Sequence, residues 1–385
     1  MERPQAKGWC PTTLVPMQSG DGLIVRIKPA FGRLTSAQAK AVADLARLYG
    51  NGFLDITSRA NIQIRGVDEA KLPSLIAALQ AHDLASTDEA RDRLNLILAP
   101  FTDETMIGYH CAKRLYEAAV SLPELPAKFG FAIDTGEKRI IADASADIRI
   151  ETDQSGALII RCDGCDTGFQ TSLDRVIADI QKVLAWYLAQ KQEGARLARM
   201  AKYAHAKKVP DEFCGLVPND KQDDVRVGAE KGKDAGRDII AVPFGQCHAD
   251  SLSQLAMHTK QIEVTVNRCL VVDAGAGAKT DFITEPDDGR LAVIACPGAP
   301  ACASATMATR VLAEQLANKL TASAGFSCNK TYHISGCTKG CAAPRATDIC
   351  IIGDGAHYAI IENGCAWEPP SITSLSSDDV LKTVK

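Results

Sequence analysis

The sequence predicts an α+β fold built by duplication. Three observations support this: a short motif occurs twice, each occurrence runs into a helix with a capping pattern, and strand-like and helix-like stretches alternate afterwards. In the first copy, Pro29-Ala30-Phe31-Gly32-Arg33-Leu34-Thr35 leads into a helical pattern from Ala37 to Tyr49, stopped by Gly50 and followed by a strand-like run from Phe53 to Val67. In the second, Pro243-Phe244-Gly245 leads into Ser251 to Thr259 and then the strand-like Ile262 to Val272. Thr35 with Gln38, and Ser251 with Gln254, have the spacing at which a hydroxyl and a side-chain amide satisfy free backbone N–H groups reciprocally at a helix start. Weak signals recurring in matching places are what a duplicated unit leaves in a sequence.

Beyond the first copy, Leu94 to Leu98, Phe129 to Ile133 and Ala157 to Ile160 read as strands. One long helix is expected from Ser172 to about Ala204, because Val176, Ile177, Ile180, Val183, Leu184 and Leu188 form an apolar stripe. Lys207 to Arg237 is dense in charge, Gly and Asp, and reads as a linker or long surface loop.

At 385 residues the chain exceeds one ordinary core. Its 46% hydrophobic and 23% charged residues suit a globular protein. A net charge of −4 gives no electrostatic reason to propose nucleic acid or an anionic membrane as partner, so any basic site must be local. Met1-Glu2-Arg3-Pro4-Gln5 lacks the plan of a secretion signal, and no run approaches the roughly 18 apolar residues of a membrane span. The expected compartment is the cytoplasm, where fourteen cysteines would not form a disulfide framework.

Cys296-Pro-Gly-Ala-Pro-Ala-Cys302 leaves five residues between its thiols, and Cys337-Thr-Lys-Gly-Cys341 leaves three. Four thiolates suit zinc and iron-sulfur clusters alike. Zinc sites more often space paired ligands by two to four, so the longer gap favours a cluster. Gly298, Gly336 and Gly340, with Pro297, Pro300 and Pro344, allow backbone N–H groups to turn towards sulfur. The bland alternative is packed free thiols, which have no reason to pair within Gly/Pro loops. Cys162 and Cys165 also form a C-x-x-C, but Arg161-Cys-Asp-Gly-Cys-Asp-Thr reads as a hairpin turn. Cys10, Cys111, Cys214, Cys247, Cys269, Cys328, Cys350 and Cys365 are scattered and carry no assignment.

Along Ile56 to Gly66 the strand period of two places Thr57, Arg59, Asn61, Gln63 and Arg65 on one face. Guanidinium forks and amides in line make a carboxylate receptor, whereas the alternative is a solvated sheet face. In the second copy, Arg268 is the expected counterpart of Arg59, although Thr265 and Asn267 share a parity that Arg268 lacks, so a bulge or strand end is needed.

Together, Thr57-x-Arg59-x-Asn61-x-Gln63-x-Arg65, the two cysteine pairs and the duplicated layout resemble the sirohaem-containing sulfite and nitrite reductases. Within that superfamily the sequence is similar to the precorrin-3B synthases of aerobic cobalamin biosynthesis, through Trp9-Cys10-Pro11, Gly20-Asp21-Gly22-Leu23-Ile24-Val25-Arg26, Lys128-Phe129-Gly130-Phe131-Ala132-Ile133-Asp134, Ala295 to Ser304 and Ser335 to Ala342. The resemblance implies a pseudo-twofold fold with a ferredoxin-like half-domain over 10–75 and a reductase-type domain without a cluster over 76–205. A linker over 206–237, a second half-domain over 238–284 and a cluster-bearing domain over 285–385 would follow. Two departures from the reductases stand out: a lysine pair expected one residue apart becomes Lys128 and Gly130, and an expected arginine becomes Leu94, beside Arg93.

What the resemblance implies chemically is O2-dependent hydroxylation of precorrin-3A with γ-lactone formation, using a 4Fe-4S cluster on Cys296, Cys302, Cys337 and Cys341. Cys341 would lie nearest the tetrapyrrole. Arg59, Asn61, Gln63, Arg65, Lys128 and Arg268 would hold its carboxylates, with Arg59, Lys128, Arg268 and Lys339 at the reacting centre. Arg26 and Lys28 are read either as further contacts or as a charged edge strand. A non-haem iron would activate O2 through His and carboxylate ligands, but the seven histidines are scattered singly and identify no set. The electron donor is not legible. A sirohaem cofactor is expected only under the rival reading, a sulfite or nitrite reductase, and a plain electron carrier would need the cysteines without the arginines.

Overall fold

The computed structural model describes residues 10–193, 195–228, 236–323 and 330–384. Trp9, Cys328, the opening Met1 to Gln5 and residues 229–235 of the expected linker lie outside them.

The first copy comprises β1 (Met17–Ser19), β2 (Gly22–Ile27), β3 (Arg33–Thr35), α1 (Ser36–Tyr49), β4 (Phe53–Ile56), β5 (Ile62–Val67) and α2 (Leu72–Ala81). An α/β stretch follows: α3 (Glu89–Arg93), β6 (Leu96–Leu98), α4 (Ile107–Ala118), β7 (Phe131–Asp134), β8 (Ile148–Thr152), β9 (Leu158–Cys162), β10 (Phe169–Gln170), α5 (Val176–Ala189) and α6 (Met200–His205). The second copy has β11 (Arg237–Ala241), β12 (Gln246–His248), α7 (Ala249–Ala256), β13 (Gln261–Val264) and β14 (Cys269–Asp273). The chain ends with β15 (Val293–Ala295), α8 (Arg310–Thr321), β16 (Tyr332–Ser335), β17 (Thr347–Asp354), β18 (His357–Gly364), β19 (Ile372–Leu375) and α9 (Ser377–Thr383).

The two copies exchange strands. One sheet runs β1-β2-β5-β4-β12 and the other β11-β14-β13-β3, so each borrows its last strand from the other half. Gln246 pairs with Asp55 across the first join, and Glu263 with Arg33 across the second. Both exchanges begin at the repeated motif, where Phe31 (φ 55°) and Phe244 (φ 52°) adopt the same left-handed backbone. The glycines that follow are needed for proximity. A Cβ on Gly32 would meet the Val264 carbonyl at 2.7 Å, and one on Gly245 would meet the Ile56 carbonyl at 3.0 Å, so each motif abuts the matching strand of the opposite copy. Helix α1 packs on α7, and Leu34, Leu54 and Ile64 share one core with Leu252, Ile262 and Val264.

The α/β sheets repeat one another as well. Order β10-β9-β8-β7-β6 matches β19-β18-β17-β16-β15, with three parallel strands continued by two antiparallel ones. The mixed α+β architecture thus agrees with expectation, and no helix among the described residues is long and apolar enough to cross a membrane.

Four local expectations need correction. The run from Phe53 to Val67 is a hairpin rather than one strand: β4 ends at Ile56, the chain turns with Ala60 at φ 57°, and β5 begins at Ile62. Ile262 to Val272 likewise folds into β13 and β14, joined by a tight turn with positive φ at Asn267 and Arg268 and a hydrogen bond from Cys269 N to Val266 O of 3.1 Å. The Thr35–Gln38 capping box is present, but α7 begins earlier than its hydroxyl signal: His248 caps it, and Ser251, inside the helix, donates to Asp281. The long helix is interrupted after Ala189, where the apolar stripe gives out in Gln190-Lys191-Gln192-Glu193; Tyr187 then donates to the Ala198 carbonyl and turns α6 back onto α5.

The described part of the expected linker is a strap. Leu216 exchanges both backbone hydrogen bonds with Gly168 at 2.8 Å, and Val225 and Val227 are buried against the second copy's sheet.

Candidate functional site

The two cysteine loops leave the C-terminal ends of adjacent parallel strands, Cys296 directly after β15 and Cys337 just beyond β16. Crevices at such strand ends are where open α/β sheets hold ligands. Cys337 and Cys341 each interact with Cys296, Cys302 and one another, and partial burial pushes the Cys337 thiol up. Cys296 is buried and accepts the Gly336 N–H at 3.2 Å, while Cys341 is exposed. Thr309 secures the Cys296 carbonyl at 2.6 Å, Ser335 that of Cys337 at 2.7 Å, and Lys339 Nζ reaches Ser304 Oγ at 2.7 Å. The equivalent loops of the first α/β stretch, after β6 and β7, contain no cysteine.

The first half grips the longer cysteine loop from outside. Ser19 Oγ and Gly20 N donate to the Ala301 carbonyl at 2.9 and 3.2 Å, and a Cβ on Gly20 would meet the Pro300 carbonyl at 2.7 Å. Arg65 joins them, reaching the same carbonyl at 3.0 Å while bonding Asp21 through Nε and Nη2 and Asp55 through Nη1. Burial opposes its charge, yet Asp55 and Asp21 together hold its pKa above the usual arginine value. This corrects one expectation: with a side chain 2% exposed and committed to two carboxylates, Arg65 faces the protein, not a ligand. Asp55 further accepts from Gln246 at 2.9 Å and Arg310 at 3.3 Å, and Arg310 interacts with Cys296.

Other cations near the site make no such direct ion pair among the described residues. Arg26 bonds Gln63 Oε1 through Nη2 at 2.7 Å and also donates to the Cys10 thiol. Arg59, in the β4–β5 turn, bonds Ser145 Oγ at 2.7 Å. Arg268, at the matching turn of the second copy, bonds the carbonyl of Ala342, next to Cys341, at 3.0 Å. Burial lowers the pKa of all three, and Arg310 adds to the effect on Arg268. The register adjusts the expected correspondence: Thr57 N bonds Asn61 O as Thr265 N bonds Cys269 O, so Arg268 occupies the place of Ala60, and Asn267 that of Arg59. The two turns meet directly, through a bridge between Arg59 and Val266.

Lys28 Nζ is held by the carbonyls of Asp92 at 2.7 Å and Leu94 at 3.2 Å, and burial brings its pKa down to about 7. It lines a cavity of about 620 Å³ with Cys10, Asn95, Leu122, Leu125 and Phe129. Arg93 turns to Glu89 and Glu124 instead, so the cation nearest the Leu94 main chain is Lys28. Lys128 is exposed between the lining residues Ala127 and Phe129. Asn61 shares with Arg59, Asn95 and Ser145 a small cleft beside the cavity.

The structure therefore sets the two cysteine loops at adjacent strand ends, with Cys337 and Cys341 in electrostatic reach of Cys296 and Cys302, and separately places Arg59, Asn61 and Gln63 near Arg26 and Lys28. It does not align five polar side chains on one strand. Arg199, Arg310 and Asp55 carried no sequence signal, since their relevance depends on contacts across the duplicated halves. Among the described residues no three His, Cys, Asp or Glu groups are gathered tightly enough to hold a metal ion, which applies to the four cysteines as it does to the expected non-haem iron ligand set.

Residues 15–82 match the nitrite/sulfite reductase ferredoxin-like half domain. Over 95% of its length the chain is 27% identical to a precorrin-3B synthase from Sinorhizobium, covering 84% of that protein. It is 22% identical to a ferredoxin–nitrite reductase from Synechococcus elongatus, with 86% of this chain and 76% of the relative aligned. Mycobacterium tuberculosis NirA shares the fold, with a TM-score of 0.69 and 18% identity over 94% of this chain and 79% of that one. The duplicated architecture, the half-domain and these likenesses agree: the chain has the fold of the sulfite and nitrite reductases, and over most of its length its sequence is similar to a precorrin-3B synthase.

Proposed function

We propose that the protein acts as a precorrin-3B synthase, an oxidoreductase that hydroxylates precorrin-3A with O2 and closes a γ-lactone, preparing the macrocycle for ring contraction. One observation carries the reading: Arg26, Lys28, Arg59 and Arg268 are partly buried cations, contributed by both copies, and among the described residues none forms an ion pair with a carboxylate, Asp92, Asp147 and Asp55 acting on Lys28, Arg59 and Arg268 only from a distance. Buried charge is costly unless paired, so such a cluster suits a ligand that supplies several anions. A tetrapyrrole bearing acetates and propionates is that kind of ligand.

Cys296, Cys302, Cys337 and Cys341 would hold a 4Fe-4S cluster. Two thiols, Cys337 and Cys341, that each interact with the other and with Cys296 and Cys302, the buried Cys296 already accepting a backbone N–H, suit a polynuclear sulfide cluster as a donor set. When bound, the cluster would supply one-electron transfer from an external reductant. Overall, one oxygen atom enters the substrate and the other leaves as water, consuming two electrons and two protons. Arg59, Asn61, Gln63, Arg26 and Arg268 would clamp carboxylates and fix the orientation of the reacting carbon, with Lys128 at the rim. Lys28 Nζ, with its pKa near 7, can hold or release a proton beside the cavity. Leu122, Leu125 and Phe129 give that region an apolar wall. Lys339, fastened to Ser304, would position the shorter cysteine loop.

The test is anaerobic purification, incubation with precorrin-3A, O2 and a reductant, and mass spectrometry of the product. Oxygen incorporation with lactone formation supports the proposal. Sharp sirohaem bands in the purified protein, together with brisk nitrite or sulfite turnover and unchanged precorrin, would instead establish the reductase reading that the nitrite reductase likeness favours.

A further inference from the structure

We infer that Arg59 and Arg199, with Ser145 between them, form a carboxylate-binding subsite at the edge of the tetrapyrrole pocket. The two guanidinium groups come from distant parts of the chain and meet at one neutral atom: Arg59 Nη2 donates to Ser145 Oγ at 2.7 Å, and Arg199 Nη2 donates to it at 3.3 Å. Ser145 is exposed, so the meeting point opens to solvent. A hydroxyl satisfies two donors but offsets no charge, whereas one carboxylate accepts from both arginines and neutralises the excess.

The charges balance accordingly. Arg199 is half neutralised on its inner side, where Nε bonds the buried Asp147 at 2.7 Å. The same carboxylate takes Met200 N at 2.9 Å and Gly130 N at 3.0 Å, which fixes the direction of Arg199 and ties it to the turn carrying Lys128. Arg59 has no hydrogen-bond partner for its side chain other than Ser145 among the described residues. Two cations therefore share one carboxylate, and one positive charge remains. Asn61 lines the adjoining cleft and can donate to a second carboxylate oxygen, whereas the Asn95 amide is committed to the Ala127 and Phe129 carbonyls. Arg199 escapes a reading of the sequence because it falls where a continuous helix is expected; the break after Ala189 swings it to the site.

The identity of the molecule that bears the carboxylate rests on the proposed function, whereas the subsite itself does not. Both can be tested with Ser145, an exposed residue whose replacement spares the core. Ser145→Asp would place a carboxylate between the arginines as a built-in ligand, and Ser145→Ala would remove only the hydroxyl. Thermal unfolding and fluorescence titration with uroporphyrin III, an octacarboxylate, are the measurements. Ser145→Asp should melt higher than wild type and bind the porphyrin at least about tenfold more weakly, while Ser145→Ala binds within about threefold of wild type. No stabilisation by aspartate, unchanged porphyrin affinity in Ser145→Asp, or loss of binding in Ser145→Ala would overturn the subsite. If wild type ignores the porphyrin yet Ser145→Asp is stabilised, the subsite stands and the tetrapyrrole reading falls.

Discussion

Arg65 in the first half and the main-chain carbonyl of Ala301 in the last third of the chain are joined by a 3.0 Å hydrogen bond. The contact holds the loop between Cys296 and Cys302 against the first sheet. Arg65→Leu would leave Asp55 and Asp21 without their guanidinium, and breaking a buried pair in this way costs about 3–5 kcal/mol. Urea unfolding should show that loss, and the purified variant should retain less iron per chain. Normal stability with impaired porphyrin binding would return Arg65 to the ligand.

The four cysteines should behave as a set. Serine at Cys296, Cys302, Cys337 or Cys341 is expected to lower iron and acid-labile sulfide strongly, whereas serine at Cys165, in the hairpin turn after β9, should leave both unchanged. Metal analysis of the variants purified without air decides the matter. Zinc at one atom per chain, with no sulfide, would exclude the cluster.

Lys28 gives the protein a defined pH signature. Its folded pKa lies near 7 against an ordinary value of 10.5, so below about 7 it is protonated both folded and unfolded, and the cost of burying the charge is fully present. As pH rises from about 7 towards 10.5, the folded form sheds the proton first and that cost is relieved, so this group makes stability rise with pH. Lys28→Met should remove this contribution, which paired melts at pH 6 and pH 9 would reveal. A bound polyanion favours the protonated amine, so porphyrin affinity should fall above pH 7 by at most about tenfold per unit.

Two glycines near the site should respond in opposite ways. Gly20→Ala drives a Cβ to 2.7 Å from the Pro300 carbonyl and 2.9 Å from Ala303 N, and the cysteine loop has to move. At Gly130 a Cβ meets nothing closer than 3.5 Å, so Gly130→Ala should fold normally. Near-wild-type melting of Gly20→Ala, or collapse of Gly130→Ala, would contradict the packing described.

Sequence reading reaches those features whose cause is local. The Thr35–Gln38 box and Gly50 delimit α1 almost to the residue because both signals act within a turn of the helix they bound. Spacing likewise exposes the C-x5-C and C-x3-C loops and the hairpin role of Cys162 and Cys165. Strand parity, by contrast, says which side chains share a face only if the strand is continuous, and the turn at Ala60 breaks that premise for Thr57 and Arg59. Parity is equally silent about what lies opposite: Gln63 and Arg65 share a face, yet Asp21 and Asp55 claim Arg65 while Arg26 claims Gln63. Arg199 and Arg310 are invisible for a related reason, since each gains its place through residues more than fifty positions away.

Strand exchange has an evolutionary consequence. Because β12 finishes one sheet and β3 the other, neither ancestral repeat can be deleted without exposing a bare edge in its sibling. The repeat without the C-x5-C and C-x3-C loops is thus retained as a mould for its twin, and specialisation of the pair becomes a ratchet: side chains can diverge freely, but the partnership cannot be dissolved.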